Sequence, residues 1–70
     1  MLKFENKSNG RFYYLEVERD MINDFVLTII RGGKRVRVVR HRGFDSANHL
    51  NAEITRLTKR RLKRGYELVT

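Results

Sequence analysis

The chain has 70 residues, with 16 Lys and Arg against 8 Asp and Glu, a formal net charge of +8, and no cysteine. So short a chain holds one domain, residues 1–70, with a thin core; the missing thiols exclude disulfides, thiolate metal sites and thiol nucleophiles, and a cytoplasmic location is the expectation. No stretch approaches the roughly 18 apolar residues of a membrane span or the apolar run of a signal peptide, so no membrane partner is expected.

At 40% hydrophobic residues in alternating and helical patterns, the chain reads as folded. Leu2 and Phe4 alternate with polar neighbours in a short first strand. The loop NKSNG, with its Asn9-Gly10 turn signal, leads into a longer strand, RFYYLEVER. There Tyr13, Leu15 and Val17 share the better core face, while Phe12, Tyr14, Glu16 and Glu18 share the other. Phe12 and Tyr14 are expected to lie covered by the N-terminal strand or the C-terminal segment, because small domains use aromatics chiefly for core area. Asp20 and Asp24 shape the next turn, and FVLTIIR follows with Phe25, Leu27 and Ile29 on one face.

Gly32-Gly33 reads as a two-residue hairpin turn, because the favoured turns need positive φ. That register sets Ile29 against Val36 and Leu27 against Val38 on a core face. It sets Ile30 against Arg35 and Thr28 against Arg37 on a cationic one. From Asp45 the period changes. Ala47, Leu50, Ile54, Leu57 and Arg61 recur at spacings of three and four as a helix stripe, with Asp45 or Ser46 as cap and Gly65 as its left-handed end. Arg56, Lys59, Arg60 and Lys63 form a basic wall opposite the stripe, and Arg61 lies on the stripe with its head reaching for water. Residues 66–69 close the chain as a short strand. The fold class is α+β: a small antiparallel sheet of about four or five strands packed against one long C-terminal helix.

With its elements placed, the chain resembles the WGR domain, a small sheet-plus-helix module of poly(ADP-ribose) polymerases and many bacterial proteins. The likeness is carried by FYYLEVERD, DFVLTIIRGG and GFDSANHLNAEITRLTKRRLKRGYELV, nearly the whole chain from Arg11 onward. At the name motif the chain has Arg31-Gly32-Gly33, so only Gly32 carries over. The resemblance implies a DNA-binding role; the family's motif Trp and Arg, which contact DNA, do not transfer. Arg31, Lys34 and Arg35 supply cationic contact at the same hairpin.

Residues 31–42 carry Arg31, Lys34, Arg35, Arg37, Arg40 and Arg42 with no acid among them, the pattern of a ribbon that holds phosphates. With a sequence pI of about 10.6, a polyanion is the expected partner, and DNA is favoured by the resemblance. Arg56, Lys59, Arg60 and Lys63 form a secondary basic surface, although cations near a helix C-terminus also complement the helix dipole. His41, Asp45 and His49 recur at intervals of four but span a strand end and a helix start, so no metal is expected. Neither a phosphate loop, a dinucleotide fingerprint nor a catalytic triad is legible, so neither an enzyme nor a cofactor is expected. The rival reading is a protein-interaction module that docks on an acidic partner or self-associates through a strand edge.

Overall fold

The computed structural model describes residues 1–19 and 24–70; Asp20, assigned above to the turn before the third strand, lies outside them. Five strands and one helix follow in chain order: β1 (Leu2–Asn6), β2 (Arg11–Glu18), β3 (Phe25–Gly32), β4 (Arg37–Phe44), α1 (Ala47–Lys63) and β5 (Glu67–Leu68). The strands form one antiparallel sheet in the order β4-β3-β2-β1-β5. The first four make a meander, and the helix then carries the chain back across one face so that β5 adds to the β1 edge.

Alternation along the strands sorts the side chains between a helix-side face and an open face. Phe4, Tyr13, Leu15, Leu27 and Ile29 turn toward the helix and are buried with its Leu50 and Leu57; Leu2, Phe25, Phe44, Ile54 and Tyr66 pack around them. Four expected core positions lie outside this cluster, Val36 and Val38 through the hairpin register described below and two for local reasons. Val17 is 46% exposed because β1 reaches only to the pairing of Leu2 with Leu15, so β2 runs on past its neighbour. Ala47 is exposed at the first helical residue, and burial along the stripe begins at Leu50.

Both helix ends are built from local chemistry. Ser46, extended at φ −143°, accepts a hydrogen bond from the His49 N–H and caps the start. At the other end the Gly65 N–H donates to the Leu62 carbonyl and the Tyr66 N–H to the Arg61 carbonyl, a Schellman closure. It needs the φ of +88° that Gly65 adopts. Buried Asn6, the last residue of β1, donates from Nδ2 to the Arg64 carbonyl and accepts from the Ser8 N–H and hydroxyl, tying the first hairpin loop to the helix end.

The β3–β4 hairpin departs from the expected register. Gly32 pairs with Arg37, the Gly33 N–H donates to the Val36 carbonyl at 2.9 Å, and the chain reverses at Lys34 and Arg35. Ile29 therefore faces Arg40, Leu27 faces Arg42, and Val36 is 62% exposed. Neither Gly32 nor Gly33 has positive φ. Gly32 is required instead by a close approach, since a Cβ there would lie 1.9 Å from the Val36 carbonyl oxygen. Among the described residues no helix is long and apolar enough to cross a membrane.

Candidate nucleic-acid interface

The shifted turn redistributes the hairpin cations. Arg31, Arg40 and Arg42 share the helix-side parity of β3 and β4, Arg37 shares the open face, and Lys34 and Arg35 occupy the tip. The expected division into one core face and one cationic face is thus corrected: Val39 and His41, not Arg35 and Arg37, stand opposite Ile30 and Thr28. Because β4 is an edge strand, its exposed Arg37, Arg40 and His41 also guard it against pairing with another chain.

Three of these cations meet others from distant parts of the chain. An open cleft of about 1030 Å³ lies between the hairpin tip and the C-terminal end of α1. Its lining includes Arg31, Lys34 and Arg35 from the hairpin, Arg11 from the start of β2, and Arg61 and Arg64 from the helix end. Among the described residues no carboxylate lines it. Six cations facing one concavity raise the local potential well above what net charge alone provides, because the low-dielectric walls focus the field.

The cleft has an aromatic floor. The Arg61 guanidinium lies 4.4 Å from the centroid of the Tyr13 ring and 5.2 Å from that of Tyr66, a cation held against two aromatic rings. The Schellman closure places Tyr66 there, since its N–H is bonded to the carbonyl of Arg61 itself. The Arg61 Nε is buried with no hydrogen-bond partner among the described residues. Arg11, Arg61 and Arg64 were not legible as site residues in the sequence. The signal that reaches one of them is the Arg61…Gly65-Tyr66 spacing, since a Schellman end brings Arg61 and Tyr66 into contact.

Arg42 and Arg56, assigned above to two separate basic surfaces, come together around one acid. Glu53 accepts from Arg42 Nη1 and, at 2.6 and 2.9 Å, from Arg56 Nε and Nη2, joining β4 to the helix. The hydrogen bond from Arg56 holds the Glu53 carboxyl below its ordinary value, with Arg42 adding to the effect and burial opposing it. These two guanidinium groups are already partnered. Lys59, Arg60 and Lys63 stand exposed on the helix and do not line the cleft.

The histidines are separated. His41 Nδ1 meets the Thr28 hydroxyl at 3.0 Å on the open sheet face, whereas His49 lies 3.8 Å from Asp45 at the exposed helix start. Phe12 and Tyr14 are half-buried, though not beneath the expected segments: β1 lies beside them in the sheet, β5 lies beyond β1, the helix occupies the opposite face, and the two ring centroids are 4.9 Å apart. The chain matches no family model, no curated protein and no solved structure.

Proposed function

We infer that the chain is a non-enzymatic nucleic-acid-binding domain that grips the phosphate backbone in the cleft between the β3–β4 hairpin and the end of α1. One observation carries this reading: Arg11, Arg31, Lys34, Arg35, Arg61 and Arg64 converge on one concavity that has no carboxylate among its described lining residues. Arginines donate paired hydrogen bonds to phosphate oxygens, and Arg61, held between two tyrosines, gives up little side-chain freedom on binding. The resemblance to the WGR domain supports DNA as the polyanion. The hairpin cations then stand where the family motif would be, with Gly32 as the shared residue.

The test compares two charge reversals of equal size. Arg31→Glu, Lys34→Glu and Arg35→Glu together remove hairpin cations from the cleft; Lys59→Glu, Arg60→Glu and Lys63→Glu remove the same charge from the helix wall. Diffuse attraction falls equally in both, whereas direct phosphate contact is lost only in the first. Fluorescence anisotropy on a labelled oligonucleotide should show binding abolished by the hairpin triple and only weakened by the helix triple. Equal losses would reduce the cleft to part of a general basic surface. No loss in either, with retained capture of an acidic protein, would replace nucleic acid by a protein partner.

A further inference from the structure

The cleft opens onto a surface of different chemistry. A groove of about 280 Å³ lies beside it, lined by Glu5, Lys7, Phe12 and Tyr14 among others, and the two concavities share Asn6, Arg11 and Phe12. The groove leads onto the open sheet face, where two cross-strand rows run side by side. The first is Glu5, Phe12, Gly32 and Arg37; the second is Lys3, Tyr14, Ile30 and Val39. Gly32 carries no side chain beside Phe12, and the Val36 carbonyl occupies the space a side chain would take. The Lys3 ammonium sits 5.5 Å from the Tyr14 centroid. The molecule measures 16 Å along its shortest axis, the depth of one sheet and one helix, and among the described residues no second layer of secondary structure lies on this face.

We propose that this face is a stacking platform for unpaired bases, so that the domain binds single-stranded nucleic acid in preference to duplex. The proposal rests on the phosphate-gripping role of the cleft and adds what happens to the bases. Aromatic faces on an open sheet stack on any base whose own face is free, and bases inside a duplex have none to offer. The charges fit this division. The cations that line the cleft offer contacts for phosphates, while exposed Glu5 stands beside Phe12 in the row that ends at Arg37. A carboxylate there repels phosphate but accepts hydrogen bonds from exocyclic amino groups of bases. A strand that passes around the Arg11–Phe12 end of β2, where the two concavities meet, sets its phosphates on the cleft cations and its next bases over Phe12 and Tyr14.

The test uses the full chain with oligodeoxythymidylate and a duplex hairpin of equal phosphate number, read by anisotropy and by NMR of the Phe12 and Tyr14 ring protons. The wild-type chain should bind the single strand more tightly, and both rings should shift on adding it, whereas Tyr14 should not shift on adding the duplex. Phe12→Leu with Tyr14→Leu keeps apolar volume while removing the π faces. It should weaken single-strand binding about tenfold and duplex binding by much less, because a duplex engages the cleft cations and only the rim position of Phe12. Unshifted ring protons, or a double variant that binds the single strand as the wild type does, overturns the platform while leaving phosphate binding in the cleft intact. Failure of wild type to bind either oligonucleotide overturns both readings. A dimer in light scattering that the double variant abolishes, with the single-strand affinity unchanged, would make this face a self-association surface instead.

Discussion

Leu57 and Glu53 lie one helical turn apart and hold the helix to the sheet by different physics. Leu57 is 5% exposed and packed in the single core, so Leu57→Ala removes burial and leaves a cavity, costing about 2 to 5 kcal/mol. In a domain this small that approaches the whole stability, and a denaturant melt of the variant should show little or no folded baseline. Glu53 is 10% exposed between guanidinium groups that are each 52% exposed, so solvent screens the pairs and their contribution to stability is small. Its carboxyl is held below the ordinary 4.5, so the contribution is fully present above that pH and is lost as pH falls through the lower folded value. Glu53→Gln should therefore be less stable than wild type at neutral pH, and the two melts should converge in acid below pH 4.5. A gap that persists unchanged in acid would mean the side chain acts by packing alone.

At the scale of the element, the two hairpins and the helix ends show how far local chemistry reaches. Ser46 and Gly65 act as their residue types dictate, one by accepting a capping hydrogen bond and the other by adopting φ +88°. Gly32 and Gly33 do not, since the reversal falls two residues later and neither adopts positive φ. The structure separates their roles by what a side chain would meet. A Cβ on Gly32 collides with backbone at Val36, whereas one on Gly33 makes ordinary contact at 3.7 Å with the Arg11 stem. Gly32→Ala should cost about 1 to 3 kcal/mol and expose the Gly33 amide to hydrogen exchange, while Gly33→Ala should be close to neutral. Equal effects of the two substitutions would contradict this hairpin geometry. The cleft depends on it, because the shifted reversal is what carries Lys34 and Arg35 to the tip.

For the whole molecule the governing quantity is charge and where it gathers. The net +8 attracts any polyanion, and the cleft concentrates part of it where several phosphates fit at once. If about four phosphates are neutralised, log affinity should fall with log salt at a slope near −3.6 on duplex and near −2.8 on a single strand, with little preference among random sequences. Titrations from low to physiological salt measure this directly. A salt-independent affinity would exclude the electrostatic grip. Strong discrimination between single base changes would point to base-edge readout, for which the cleft has no evident donor and acceptor pattern.

The amino-acid sequence by itself determined the α+β class, the elements with their caps, the buried stripe through Leu50 and Leu57, and the cationic character of the hairpin. Each of these follows from periodicity or from the behaviour of a residue with its near neighbours, which operate within a few positions of the chain. The tertiary structure alone decided the hairpin register, the partnering of Arg42 and Arg56 through Glu53, and the half-buried setting of Phe12 and Tyr14 on the sheet face away from the helix. It alone decided the meeting of Arg11 with Arg61 and Arg64, residues some fifty positions apart. Register turns on a close backbone approach at Gly32 that composition does not distinguish from a glycine at positive φ. The cleft exists because the helix crosses the sheet so that its last turn ends beside the hairpin tip, and that crossing is set by packing between elements far apart in sequence.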